Sequence, residues 1–413
     1  MKKLLEINSY KILICIIWVF GLASSIFRIA LILKVSNEYG ESGSNLLSLS
    51  NALVMVFVSI FIGVIIDRYR KTKILIFSNI IQIIGILIML ILAITSSLDL
   101  SALLFVGAIN SIMFLIINPT VQSMIPDIVE SNKIVSKTSV FLNVNAIVGT
   151  IGPAIGGIIT SNLSFITITY YLVILFILSL ILYMFMMYQL KKEDKVINQK
   201  GKSSKGNIFI ELYNGYIVII NNKIMVLVFC AFAIIDAVTF ALPYYLPQYL
   251  LEMEVEDNND VGTIIGLLLA IGMFCRVIAM GIYPKFEKKI NSNLIFALNL
   301  FAHGISVLFI VFVPILPVKA FGYMLMGFMS GLTMVTLSKF IHNQISTEYK
   351  GRVFGSLASI TTFFKPIFLL SMYFNTSGEI KSDVSFLAAI NILIVNGIIF
   401  LFVFKKNLRN VKI

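Results

Sequence analysis

The sequence GVIIDRYRKTK, residues 63–73, places five charged side chains between two long apolar runs. The run before it ends with LVMVFVSIFIGVII, residues 53–66, and the run after it is ILIFSNIIQIIGILIMLILAI, residues 74–94. A helix needs about 20 apolar residues to cross the hydrocarbon core of a bilayer. The charged stretch is therefore predicted to be a short loop between two membrane spans.

Similar apolar runs recur along all 413 residues, and the composition agrees with them. The chain is 59% hydrophobic and 13% charged, whereas a soluble domain has about 25% charged residues. Long apolar runs in lipid must satisfy their own backbone hydrogen bonds, which favours helices over a barrel. We predict an all-α membrane protein with twelve transmembrane helices in two six-helix bundles. The predicted spans are roughly 10–34, 44–66, 74–95, 99–121, 138–160, 165–189, 222–250, 260–283, 292–313, 317–339, 351–373 and 384–404.

The basic residues predict the orientation of the spans. With both termini on one side, 26 of the 32 Lys and Arg fall in the termini and loops of that side. Cytoplasmic loops carry such an excess, so both termini are predicted to be cytoplasmic, in a multi-pass protein of the bacterial plasma membrane. Topology accounts for the net charge of +12, and nucleic acid is not expected as a partner. The remaining basic residues are Lys34, Lys319 and Lys381 on the other side and Arg28, Arg276 and Lys365 within spans.

A polar segment divides the chain into two halves. It contains KKEDKVINQKGKSSKGN, and we predict a cytoplasmic linker over 191–221 between an N-terminal bundle, 1–190, and a C-terminal bundle, 222–413. VFLNVNAIVGTIGP, residues 140–153, and VFGSLASITTFFKP, residues 353–366, share Val-Phe and Pro at one spacing, in spans five and eleven. Matching positions in the two halves favour a duplicated six-plus-six transporter.

Several motifs resemble those of a known family. GVIIDRYRK resembles the signature loop of the major facilitator superfamily, and GTIGPAIGG, residues 149–157, resembles its antiporter motif, which is typical of exporters. QSMIPDIVESNKIVSKTSVF, residues 122–141, and ISTEYKGRVFGSLASI, residues 345–360, resemble its macrolide-efflux and siderophore-exporter branch. The resemblance implies two bundles that alternate access to a central cavity, and it implies efflux, with multidrug or macrolide resistance as the associated role.

The charged loop is also expected to act as a cytoplasmic latch. The resemblance implies that Asp67 and Arg68 lock the cytoplasmic side of the transporter and that Asp127, after span four, faces them. Charged hydrogen bonds can pin one helix to another, and topology alone does not explain an acid here. The alternative, a loop that serves only the positive-inside rule, remains open for the basic residues. The predicted latch residues are Gly63, Asp67, Arg68, Arg70, Lys71 and Asp127.

Span five carries a predicted helix-packing motif. Small residues allow two helices to approach closely, and a proline within a helix removes a backbone hydrogen bond and can bend it. Packing is favoured over substrate contact for these residues. The motif comprises Gly149, Gly152, Pro153, Gly156 and Gly157.

Four ionisable residues fall within spans and away from the span ends: Arg28, Asp236, Arg276 and Lys365. A charge inside the bilayer costs a few kcal/mol, so it usually faces a cavity or a partner. Asp236 is the only acid away from the ends of the spans, and burial favours the protonated form of a carboxyl group, which makes it the candidate proton carrier. The alternative is an ion pair with Arg276 or Lys365 that never titrates, and both interpretations remain open.

The three cations, Arg28, Arg276 and Lys365, are predicted to line the substrate cavity together with Asp236. They either bind an anionic group of the substrate or extend to the membrane interface, and Lys365, in mid-span, is the candidate substrate contact. Tyr244 and Tyr245, in LPYYLPQYL, are assigned to a gate of the cavity, with an interfacial aromatic belt as the alternative. His303 is expected to be structural.

We therefore predict a secondary active exporter of an amphipathic small molecule, a drug or secondary metabolite, coupled to proton antiport by alternating access. Its expected partners are the substrate, protons and the lipid bilayer, and the chain is expected to be monomeric. The alternatives are an exporter of an anionic metabolite or siderophore, a uniporter or importer of the same fold, and a non-transporting scaffold or sensor. The sequence lacks a nucleotide-binding loop, metal-ligand spacing and a nucleophile with a plausible base, so neither a cofactor nor enzyme activity is expected.

Overall fold

The computed structural model describes residues 2–130, 133–192, 223–252, 260–286, 292–344, 350–377 and 383–410. The secondary-structure elements of these residues are all helices, joined by short non-helical connections. The helices are α1 Lys2–Arg68, α2 Lys71–Ile94, α3 Leu100–Ile128, α4 Ile134–Asn162, α5 Phe165–Lys192, α6 Lys223–Glu252, α7 Asp260–Phe286, α8 Ser292–Phe312, α9 Leu316–Gln344, α10 Lys350–Ser377 and α11 Asp383–Asn410.

The first two predicted spans lie in one continuous element, α1, instead of two helices joined by a loop. Its backbone is helical except at Gly40, where φ is 64° and ψ is −155°. Glycine adopts a positive φ without the steric cost that a side chain would impose. The chain turns back here, because Leu31 and Leu47 both lie beside Gly107 of α3. A single glycine thus replaces the expected loop, and α1 contains two antiparallel arms.

The helices have the length and composition of membrane spans. Among the described residues, 9 helical segments are long and apolar enough to cross a bilayer, and the first of them, Ser9–Ser59, is 51 residues long. At 1.5 Å per residue that segment is about two and a half times as long as a bilayer core is thick, which is enough for two crossings. The multi-pass, all-helical prediction is confirmed, whereas the count of twelve and the cytoplasmic termini stay predictions.

The start of α3 shows how a short connection ends and a span begins. Asp99 is the N-cap residue, and its Oδ1 accepts a hydrogen bond of 3.0 Å from the Ala102 N–H. The Ser101 hydroxyl donates to Oδ2 at 2.7 Å. These two bonds, of which the bond from Ser101 has the larger effect, hold the pKa of Asp99 below its usual value. The cap satisfies a backbone donor that the first turn of a helix leaves free.

The contacts between helices divide the chain into two compact units. In the first unit α1 packs against α3, α4 and α5, and α2 packs against α3 and α5. In the second unit α8 packs against α9 and α11, and α6 packs against α10. The first unit also includes Glu254–Leu267, because the start of α7 packs on the end of α4. The predicted linker, 191–221, lies outside the described residues except for its first two, which end α5.

Candidate functional site

An ion pair joins two helices of the second unit. Lys365 Nζ of α10 lies 2.8 Å from Asp236 Oδ2 of α6. The same ammonium lies 5.0 Å from the centroid of the Phe240 ring, one turn further along α6. The two partners differ in access: the Lys365 side chain is 9% exposed and the Asp236 side chain is 43% exposed. Ionised carboxylate in contact with lipid is costly, so the exposed face of Asp236 is expected to meet water.

Arg276 of α7 is the second cation near this carboxylate. Asp236 interacts electrostatically with its guanidinium group. The Arg276 Nη2 atom also donates a hydrogen bond of 3.4 Å to Met334 Sδ of α9. The structure thus brings three of the four predicted intramembrane charges into one region of the second unit.

Tyr244 and Tyr245 lie elsewhere, towards the end of α6, and both side chains are buried. The Tyr245 hydroxyl donates a hydrogen bond to Asp383 Oδ1 at the start of α11. Near them Lys319 is completely buried; its ammonium donates to a backbone carbonyl of α8 and lies 3.9 Å from the centroid of the Tyr249 ring. We call Tyr245, Tyr249, Lys319 and Asp383 the Lys319 cluster. It joins the ends of four helices.

The Lys319 cluster also shows the relative direction of α6 and α9. The end of α6 meets the start of α9 there, and Thr239 Oγ1 of α6 lies 4.0 Å from Met326 Sδ of α9 further in. The two helices are therefore antiparallel. Asp236 lies about one turn from Thr239 on α6, and Ser330 lies about one turn from Met326 on α9, in both cases away from the cluster. At 1.5 Å per residue, Asp236 and Ser330 therefore lie at about the same depth.

Ser330 belongs to a second polar pair at that depth. Its hydroxyl lies 3.2 Å from Nε2 of His303, and the imidazole Nδ1 lies 2.9 Å from the carbonyl oxygen of Asn299. His303 is 1% exposed, whereas Ser330 is partly exposed. The sequence analysis treated His303 as a structural residue and did not identify Ser330.

The fourth intramembrane charge, Arg28, lies in α1 of the first unit. Between Ile16 and Ser36, all of which the structure describes, Arg28 is the one residue that is classed as exposed. A guanidinium in the middle of a span is expected to face water or a polar partner. Arg28 thus remains a candidate for the substrate cavity on the first unit.

The glycine motif of span five packs α4 between two neighbours. A Cβ atom on Gly152 would lie 2.6 Å from Ser25 Oγ of α1, and one on Gly157 would lie 2.2 Å from the carbonyl oxygen of Gly262 in α7. A Cβ on Gly266 would lie 2.4 Å from the Pro153 carbonyl oxygen. Contacts this short leave no room for a side chain. We call Pro153, Gly157, Gly262 and Gly266 the glycine seam; Gly156 faces α1, and Gly149 is partly exposed.

The sequence profile of the Major Facilitator Superfamily matches residues 13–368. The chain belongs to the major facilitator superfamily. It is therefore a transport protein and not an enzyme, which sets aside the scaffold or sensor alternative. No curated protein sequence matches the chain closely enough to count as a relative.

Solved structures of other superfamily transporters have the same fold. A mutant of the peptide transporter POT is 13% identical, with a TM-score of 0.75 over 97% of this chain and 94% of that one. A mutant of the nucleoside transporter NupG is 14% identical, with a TM-score of 0.72 over 96% and 99%. Identity this low shows the fold and leaves open the macrolide-efflux branch, the substrate and the direction of transport.

Part of the predicted superfamily latch comes together in the first unit. Lys71 Nζ, in the first turn of α2, lies 2.7 Å from Asp127 Oδ2 near the end of α3. It also donates a hydrogen bond of 2.6 Å to the Ser123 carbonyl oxygen. Arg70 is exposed at the N-cap position of α2.

The other latch residues are Gly63, Asp67 and Arg68, which belong to the last turns of α1. Their side chains lie outside the described set. Among the described side chains, Lys71 connects the charged loop to Asp127, and the roles of Asp67 and Arg68 stay predictions.

Proposed function

We propose that this superfamily member is a proton-coupled exporter of an amphipathic small molecule that carries a positively charged group. It would act by alternating access in the bacterial plasma membrane, with Asp236 as the proton carrier. The observation that carries the proposal is the ion pair between Asp236 and Lys365, of which the carboxylate is the accessible member. The region exposes a negative charge, although it contains more cations than acids.

The pair supports exchange because a proton and a cationic group would compete for one carboxylate. When Asp236 is protonated, the pair carries the single positive charge of Lys365. A monovalent cation bound to ionised Asp236 leaves the same net charge of one. The protein therefore passes between the two loaded states without changing the charge that it must carry across the membrane. The ion pair is the form without either ligand, in which Lys365 compensates the carboxylate and avoids a costly unpaired buried charge.

An anionic substrate would reverse the coupling at this pair. Its natural partner is the Lys365 ammonium, which becomes available when a proton neutralises Asp236. Proton and anion would then bind together and travel in the same direction, which is symport. An inward proton gradient would drive import of such a substrate, so the pair does not favour an anionic metabolite or siderophore as an export substrate.

A proton-coupled importer of an anionic molecule is the second candidate. The excess of cations in spans, Arg28, Arg276 and Lys365 against Asp236, favours it. The exposure of the pair favours the exporter, because the Lys365 side chain is 9% exposed. The GTIGPAIGG motif, which resembles the antiporter motif of exporters, supports the same choice.

Proton movement in inside-out vesicles with an acidic lumen tests the proposal. The probes share a dansylated pentyl chain and differ in the terminal group: trimethylammonium, hydroxyl or sulfonate. None of these groups is a weak base, so a probe does not collapse the pH gradient by itself. We expect the trimethylammonium probe to collapse the gradient with wild-type protein and not with Asp236→Asn. Asp99→Asn, outside the spans, is the matched control and should behave like wild type.

Two other outcomes would overturn parts of the proposal. Collapse that persists in Asp236→Asn would remove this residue as the proton carrier. Acidification of the interior of right-side-out vesicles by the sulfonate probe, without any response to the trimethylammonium probe, would replace the exporter with the importer.

A further inference from the structure

The hydrogen bonds of His303 determine the orientation of the Ser330 hydroxyl. The imidazole Nδ1 lies 2.9 Å from the carbonyl oxygen of Asn299, and a carbonyl oxygen can only accept. Nδ1 therefore carries the proton. In a neutral imidazole the other nitrogen, Nε2, is then an acceptor, so the Ser330 hydroxyl donates to it across 3.2 Å.

The surroundings keep this ring neutral. His303 is 1% exposed, and a buried imidazolium would lose its hydration. The charge that acts on the ring is the Arg276 guanidinium, which repels a second cation. The neutral tautomer with the proton on Nδ1 satisfies both ring nitrogens without any charge.

This arrangement makes Ser330 a hydrogen-bond acceptor towards its exposed side. A hydroxyl has one donor hydrogen and two lone pairs, and the hydrogen is used by His303. The lone pairs remain for another partner. Ser330 is partly exposed and lies at the same depth as Asp236, the accessible carboxylate of the ion pair.

We propose that Ser330 contacts the transported molecule and accepts a hydrogen bond from its charged group, while His303 is the residue that positions the Ser330 hydroxyl. This inference rests on the proposed function, in which Asp236 supplies the opposite charge. The substrate class that fits two acceptors is a primary or secondary ammonium, whose N–H groups can donate. A quaternary ammonium has the charge without the donors.

Equilibrium binding of two probes to the purified full-length protein tests the contact. The probes are dansylcadaverine, which ends in a primary ammonium, and its N-trimethylated form, which has the same charge and no N–H donor. We expect wild type to prefer the primary ammonium. Loss of one charge-assisted hydrogen bond corresponds to about a tenfold change in affinity, so Ser330→Ala should lower that preference about tenfold. The affinity for the trimethylated probe should stay unchanged. Ser371→Ala, on α10, is the matched control and should keep the wild-type preference.

The positioning role of His303 has its own readout. The chain has two histidines, so His342→Gln leaves His303 as the single imidazole. ¹⁵N NMR of that protein, labelled on histidine, should show the Nδ1–H tautomer, and Ser330→Ala should shift the Nε2 resonance. His303→Phe should reduce the preference for the primary ammonium, and His303→Gln should restore part of it, because the side-chain oxygen of glutamine can accept from Ser330. An Nε2–H tautomer, or an imidazolium at neutral pH, would overturn the positioning role.

The outcomes separate this inference from the proposed function. Binding of both probes that depends on Asp236 but not on Ser330 would overturn the inference and leave the proposed function standing. A preference that depends on Ser330 but not on Asp236 would support the contact and contradict Asp236 as the cation site. If neither probe binds to the wild-type protein, the ammonium substrate is wrong in this inference and in the proposed function alike.

Discussion

The ammonium of Lys319 lies 3.9 Å from the centroid of the Tyr249 ring, in a position where the lysine is completely buried. A cation over an aromatic face is attracted by the negative potential of the ring, and desolvation strengthens the attraction. Tyr249 belongs to α6 and Lys319 to α9, so this contact links the end of α6 to the start of α9. Its neighbour in the Lys319 cluster, the hydrogen bond from Tyr245 to Asp383, links α6 to α11.

Replacing the Tyr249 ring should therefore destabilise the protein. We expect Tyr249→Leu to lower the free energy of unfolding by about 1–2 kcal/mol through loss of the cation–π contact. Tyr249→Phe keeps the ring and should cost clearly less. Thermal unfolding in detergent micelles measures both variants. Equal losses for Leu and Phe would mean that the hydroxyl, and not the ring, makes the stabilising contact.

The ion pair between Lys71 and Asp127 should show energetic coupling. The side chains are 17% and 25% exposed, so solvent screens the pair in part. We expect a coupling energy of about 0.5–1 kcal/mol in a double-mutant cycle of Lys71→Gln and Asp127→Asn, measured by unfolding. Lys73→Gln, at an exposed position two residues away, should show no coupling with Asp127→Asn. A coupling energy of zero for Lys71 would remove the pair from the latch.

The glycine seam should not tolerate a methyl group. In Gly157→Ala the new Cβ would meet the Gly262 carbonyl oxygen at 2.2 Å, and a backbone atom cannot move away cheaply. We expect a loss of folded protein or of transport well beyond that of an ordinary surface substitution. Gly281→Ala is the control, since no atom lies within 4 Å of its added Cβ. The yield of monodisperse protein and the transport rate of both variants are the measurements. Wild-type behaviour of Gly157→Ala would contradict the close packing of α4 and α7.

Single cysteines should report the orientation of the spans. We expect Ser97→Cys, before α3, to react with an impermeant maleimide added outside intact cells, in a background without the native cysteines. Lys73→Cys, at the start of α2, should react only after the cells are opened. The reverse labelling would place both termini outside.

The sequence predicted the fold well because lipid leaves few choices. Apolar runs of the right length predicted the membrane-spanning helices, whereas the sides that the basic loops indicate stay a prediction. The connection at Gly40 was missed because residues 35–43 are polar enough to suggest a loop, and local sequence does not show that the second arm will pack beside the first.

The polar contacts were harder to predict, since they depend on which helices become neighbours. Asp236 was identified from its isolation among apolar residues, and an ion pair with Lys365 was one of two open alternatives. Lys319 was assigned to the outer loops, because a lysine near the start of a span usually serves topology. Its burial against Tyr249 requires contacts from α6 and α8. Ser330 could not be distinguished from the many serines of the spans until His303 lay beside it.

The glycine seam has a consequence for the speed of transport. At Gly157, Gly262 and Gly266 no side chain must leave one rotamer for another when α4 and α7 shift along each other. The side chains that bridge the two helices beside the seam are Ser161 and Thr263, which are joined by a hydrogen bond of 3.0 Å. Such a movement changes little side-chain conformational entropy. The activation entropy of the transport cycle should therefore arise from other steps, such as the release of water from the charged residues. The temperature dependence of the transport rate would then depend more on the hydration of the charged groups than on side-chain rearrangement between α4 and α7.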